Sequence, residues 1–182
     1  MNALRSLRYH PFPVAAHFRK SLVVGFTAPK ADLERFLPEP FTLDLVQEEF
    51  GFLAAAIVDT KGLRPKGMPS LLGQNFVLLG YRIFARYETA KGRRLRGLYI
   101  LGSETSKHSM KWLGGVFTRY RYDTTKIRWS DSDEEEVIES DSGLHVIARR
   151  GNEEDDLPEG SPFENWKEAR RFAGPMPFSF SY

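Results

Sequence analysis

The stretch LGSETSKHSMKWLGGVFTRYRYD, from Leu101 to Asp123, holds the densest set of side chains able to do chemistry. Its pattern predicts a helix from about Glu104 to Leu113, ended by Gly114 and Gly115, and then a strand. Lys107 and Lys111 stand four residues apart and share a helix face. A lysine becomes a Schiff-base nucleophile when burial or a neighbouring cation lowers its pKa, and a lysine pair could do this by mutual repulsion. A charged pair at that spacing is more often a solvated helix face. Glu104, Lys107 and His108 are the local supply of a general acid or base, and are the candidate catalytic residues. On the strand that follows, alternation sets Tyr120 and Tyr122 on one face and Arg119 and Arg121 on the other.

Other patterns exclude more than they offer. There is no cysteine, which removes disulfides, iron–sulfur clusters and thiolate catalysis. The four histidines, His10, His17, His108 and His145, have no metal-ligand spacing, so neither a metal nor any other cofactor is expected. No nucleophile elbow of the G-x-S-x-G kind is present. DSDEEE lacks the glycine of a calcium loop and reads as a solvated hairpin tip. KGRRLR and RYRY permit nucleic-acid binding. The net charge of +2, from 26 basic and 24 acidic residues, gives no general pull toward it, and Arg93, Arg94 and Arg96 are expected to form a solvated hairpin. The first residues carry no apolar signal core, and the longest apolar run, from Phe50, is too short to span a bilayer. The expectation is a cytoplasmic chain with no membrane or nucleic-acid partner.

The elements that must position these residues are mostly strands. The chain of 182 residues predicts one domain over 1–182, with 41% hydrophobic residues and 14 Phe to fill its core. Ser21–Ala28 reads as a strand, and Pro29 opens a short helix with Leu33, Phe36 and Leu37 on one face. FTLDLVQ alternates Phe41, Leu43 and Leu45 with Thr42 and Asp44, a half-buried strand with its polar side in solvent. Phe52–Thr60 is continuously apolar, which suits a strand buried on both faces. KGLRPKGMPSLLG reads as a long mobile loop. NFVLLGYRIFARYE and RRLRGLYILGS form a hairpin around TAKG. VIES and GLHVIARR follow the acidic turn as strands. Ser161-Pro162-Phe163-Glu164 reads as a capping box that starts a helix carrying Trp166, Ala169 and Phe172 to the core. PFSFSY opens a last strand, and its edge would support a homodimer. The sum is α+β and β-dominated, with one large curved sheet or barrel.

FTAPKADLERFLPEPFTLD and LYILGSETSKHSMKWLGGVFTRY, with LPEGSPF and a following Trp, resemble segments of the acetoacetate decarboxylase superfamily. The chain looks closest to its uncharacterised DUF2071 branch. The resemblance implies a closed antiparallel β-barrel with short inserted helices, and a central polar cavity for a small carboxylate-bearing molecule. It also implies continuation of the chain past Tyr182. It places Arg19 where the decarboxylases hold the substrate carboxylate, a bidentate task that suits a guanidinium. Their lysine pair falls at Thr118, Arg119 and Tyr120, and an arginine forms no Schiff base. Their glutamate falls near Gln74 and Asn75. The expectation is therefore an anion-binding barrel, with Arg19, Arg119, Gln74 and Asn75 as ligand contacts and no Schiff-base chemistry. A lyase or hydrolase acting on a keto or hydroxy acid, and a non-catalytic interaction protein, are the rivals.

Overall fold

The structure, a computed structural model, describes residues 13–110, 122–149, 151, 156–174 and 176–180. Its frame is a mixed sheet built on three long antiparallel pairings among four strands. Strand β1 (Val14–Pro29) pairs with β3 (Phe50–Pro65), β3 with β4 (Gln74–Glu88), and β4 with β5 (Arg94–Thr105). A short β2 (Phe41–Leu43) takes the place beside β4 that β3 vacates, with Leu43 opposite Ala85. Helix α1 (Lys30–Glu34) starts on Pro29 as expected and buries Leu33, while Phe36 is exposed. β6 (Asp123–Thr124) runs parallel to β5. A separate antiparallel sheet follows: β7 (Ile127–Asp131), β8 (Glu135–Ser140) and β9 (His145–Arg149). Helix α2 (Trp166–Phe172) leads to β10 (Phe178–Phe180), which adds to β5 in parallel.

The continuous apolar run of β3 is explained by two covering layers. Its odd-numbered face, with Ala55 and Ile57 beside Leu79 of β4, packs on Ile138, Ile127 and Trp129 of the three-stranded sheet. Farther along that face, Ile83 and Leu53 meet Leu33 of α1 and Leu43 of β2. The even-numbered face, with Phe52, Ala54 and Phe84, packs on Phe163, Phe172 and Met176. There the Phe52 and Phe172 rings lie 4.9 Å apart, and Phe84 stacks on Phe172 at 5.7 Å. Fully burying a phenylalanine side chain stabilises by roughly 1.5–3 kcal/mol, so this ring cluster holds α2 to the sheet.

Several expectations change. The sheet is open, not a closed barrel: the strand path ends at β1 on one side and β10 on the other. Closure needs a partner for the outer edge of β1, and among the described residues β1 pairs only with β3. The expected loop after Thr60 is strand as far as Pro65. A bulge between Thr60 and Leu63 lets Gly62 take φ +64°, and a single 3-10 turn follows at Ser70–Leu72. β5 runs on to Thr105, so the helical turn starts only at His108, just after Lys107 and later than the spacing predicts. Helix α2 starts at Trp166, not at Pro162, because the Asn165 side chain accepts from the Glu168 backbone N–H at 2.9 Å.

Candidate functional site

The middle of the large sheet carries a cavity on its even-numbered face. Ala56 of β3 stands opposite Gly80 of β4, and Gly80 opposite Ser103 of β5. Small residues there leave room above the backbone. Arg82, two residues along the same face, fills it: a Cβ added at Gly80 would fall on the guanidinium. Arg82 is itself flanked by Ala54 and Ile100, and its Nη1 is fully buried. The space above has a volume of about 200 Å³, with Val58, Leu78 and Ile100 as apolar wall and Ser103, Tyr122 and Ser179 bringing hydroxyls. One step past Val58, the Thr60 hydroxyl is buried with no hydrogen-bond partner among the described residues. A guanidinium and hydroxyls over an apolar floor can hold a small anion and orient it.

A second ionic group lies beyond Phe84. Arg86 of β4 and Arg96 of β5 are direct cross-strand neighbours. Like charges so placed repel, and Asp44, just after β2, lies between them with its side chain fully buried. Its Oδ1 accepts from Arg86 Nε at 2.7 Å and Nη2 at 2.6 Å, and its Oδ2 accepts from Arg96 Nε. Arg96 Nη2 also donates to the Phe172 carbonyl at 2.7 Å, and its guanidinium lies 4.7 Å over the Phe172 ring. Arg96 is thus a tie between sheet and α2, not part of a solvated hairpin. Arg94, by contrast, is 81% exposed.

The residues singled out in the sequence fall elsewhere. Arg19 is 56% exposed and donates to Asp59, Nε to Oδ2 at 2.6 Å. Asn75 accepts from the Gly62 N–H at 2.8 Å, which pins the bulge of β3. Gln74 accepts from Ser109 and donates to the Leu72 carbonyl, both at 3.5 Å. Lys107 is half-buried, its N–H directed to Thr105 Oγ1 at 3.4 Å, and His108 is exposed. The register gathers Arg19, Gln74, Asn75, Lys107 and His108 at one end of the sheet, where Asp59 faces Val77 and Val77 accepts from Ser106. None of them lines the Arg82 cavity. Glu104 stands opposite Leu79, on the odd-numbered face, and accepts from Ser142 at 2.6 Å. Burial, and then the Glu104 charge, push the Tyr81 hydroxyl above its usual pKa, against a bond from Ser142. That cluster locks the β8–β9 turn to β5. Arg119, Arg121, Lys111 and Tyr120 lie outside the described residues. Among the described residues no three His, Asp or Glu side chains converge as a metal site, and no helix is long and apolar enough to cross a membrane.

The sequence did signal Arg82, as the one charge within the stretch Phe76–Ala85 of β4. Asp44 had no such local signal, since alternation assigned it to solvent. Its clue was nonlocal: two arginines that the hairpin register sets face to face.

The architecture is a β-dominated one of the acetoacetate decarboxylase kind. It matches the crystal structure of acetoacetate decarboxylase from Legionella pneumophila subsp. pneumophila strain Philadelphia 1 with a TM-score of 0.56 and 14% identity, over 80% of this chain and 52% of that one. The chain therefore spans about half the length of that decarboxylase, and the likeness is one of fold. Residues 15–172 match the family DUF2071, described as "Uncharacterized conserved protein (COG2071)", and the chain belongs to that family. No curated protein matches it.

Proposed function

We propose that this chain binds a small anionic organic molecule in the cavity on the even-numbered face, with Arg82 as counter-charge, and does so without Schiff-base chemistry. The observation that carries the reading is the Arg82 guanidinium, laid over Gly80 with Nη1 buried at the edge of a cavity of about 200 Å³. Strand interiors hold such a group more rigidly than loops do. The volume suits an acid of a few carbon atoms, well below the usual range for drug-sized ligands. Support also comes from the fold: the similar protein is by name a decarboxylase of acetoacetate, itself a small carboxylate. The described wall contains hydroxyls and a guanidinium, and a guanidinium stays protonated and cannot form an imine.

The test is calorimetry with a panel of short keto and hydroxy acids, acetoacetate included. The variants are Arg82→Gln, and Arg19→Ala and Arg119→Ala for the cations that the family resemblance supplies. The best acid of the panel binds, and Arg82→Gln weakens it by about 2–5 kcal/mol, the cost of removing one partner of a buried charge pair. Gly80→Ala, which displaces the guanidinium with little change elsewhere, weakens it too. Parent-like binding by both variants refutes the site, and a borohydride-trapped adduct with acetoacetate refutes the chemistry.

A further inference from the structure

We propose that the groove between α2 and the turn after Asp44 is a second ligand site, taking a small monocarboxylic acid with an apolar or aryl body. This goes beyond the Arg82 cavity, with which the groove shares no lining residue. The groove has a volume of about 330 Å³. Its charge is unbalanced. Arg86, Arg96 and Arg171 face Asp44 and Glu168, so three guanidinium groups meet two carboxylates and one positive charge is left over. Both carboxylates are committed: Asp44 is buried between Arg86 and Arg96, and Glu168 Oε2 accepts from the Glu164 N–H at 3.1 Å. Arg171 has no ion pair with any described residue and lies exposed on α2. An arginine set this way presents its fork to a carboxylate.

Leu45 and Val46 form an apolar wall opposite α2, and Phe163, just before α2, is the apolar part of the facing side. One face of Phe172 is already covered by Arg96 and its ring stacks on Phe84, so the ligand body belongs against Phe163 and the Leu45–Val46 edge. A separate observation singles out this wall. Gln47 and Glu48 follow it in the left-handed region, at φ 53° and 60°, a conformation that costs non-glycine residues on the order of 1–3 kcal/mol each. The strained turn is held by Val46 and Phe50 exchanging backbone bonds at 2.8 and 3.1 Å. It is tied to the far wall by Gln47 Nε2 donating to the Pro162 carbonyl at 2.8 Å. That tie joins the turn to the segment before α2, and the Arg96 bond to the Phe172 carbonyl joins the sheet to α2.

The experiment is amide-detected NMR titration of the whole chain with benzoate, and with benzamide as its uncharged match. Benzoate shifts signals of the Asp44–Glu48 turn and of α2 in a saturable way, on the order of millimolar affinity, and benzamide does not. Arg171→Gln weakens benzoate roughly tenfold, one charge-assisted bond, without lowering the unfolding midpoint. Arg82→Gln leaves benzoate binding as it was. Absence of saturable shifts, equal binding of benzamide, or full affinity in Arg171→Gln overturns the proposal. Loss of benzoate binding in Arg82→Gln but not in Arg171→Gln also overturns it, and assigns the acid to the Arg82 cavity instead.

Discussion

Removing the carboxylate of Asp44 should destabilise the fold by about 2–3 kcal/mol, a figure that follows from where its charge partners can go. Breaking a fully buried ion pair costs about 3–5 kcal/mol, because the surviving charge is stranded out of water. Here the carboxylate is fully buried, but Arg86 and Arg96 keep 52% and 36% of their side-chain exposure. In Asp44→Ala both guanidiniums can turn toward solvent, which trims the penalty to the lower figure. What remains is the loss of charge-assisted hydrogen bonds, each about 1.5–3 kcal/mol before solvent competition, and the return of Arg86–Arg96 repulsion across the hairpin. Asp44→Asn keeps the volume but turns an amide toward a guanidinium, so its cost lies within about 1 kcal/mol of the alanine variant. Urea unfolding measures this as a lower midpoint at constant slope. Arg94→Ala, on the exposed part of the same hairpin, stays within about 0.5 kcal/mol of the parent. A cycle of Asp44→Ala with Arg96→Ala shows a coupling of about 1–3 kcal/mol. A cost below about 1 kcal/mol for Asp44→Ala, or plain additivity in the cycle, refutes the account of Asp44 as the counter-charge that makes this pair of strands tolerable.

Two further outcomes follow from capping and titration. Asn165→Ala should cost about 1 kcal/mol and Ser161→Ala only a few tenths, since Asn165 caps α2 whereas Ser161 accepts from the Phe163 N–H at 3.3 Å; thermal unfolding that reverses the order shows the helix starting at Pro162. The folded state holds the Tyr81 proton above the ordinary tyrosine pKa of 10.0, and the Lys20 proton above 10.5 through Asp131 first, so it binds more protons than the unfolded chain in that range. Their contribution to stability is therefore fully present below about pH 10 and is lost as pH rises through the raised values, and Tyr81→Phe should flatten the fall in urea midpoints across that window. An unchanged alkaline slope in the variant contradicts the role given to Tyr81.

What the sequence determined by itself is the run of strands and the sides they bury. The hairpin from Gln74 to Thr105 around Thr89–Gly92, the strands on either side of the acidic turn, and the doubly buried Phe52–Thr60 were legible, because period and turn chemistry act over a few residues. The kinship read from the strand–helix–strand around Leu37–Pro40 was legible for the same reason, as a local pattern. Tertiary structure decided the rest. Strand status for Lys61–Pro65 comes from pairing with β1 and from Asn75 accepting at the bulge, which offset its glycine and proline. The start of α2 was settled by which cap forms: Asn165 accepts from the Glu168 N–H, whereas Ser161 accepts from the Phe163 N–H two residues on. Asp44 was read as solvated because alternation counts only the strand's own two sides, whereas its burial depends on cations 42 and 52 residues away. Arg82 could be noticed in the sequence as a misplaced charge, but its setting could not. The room for it comes from Gly80 on its own strand, Ala56 on one neighbour and Ser103 on the other, brought together only by cross-strand register. Register also left the sheet open where family likeness pointed to a barrel, since closure depends on what pairs with the outer edge of β1, a long-range pairing that no local pattern encodes.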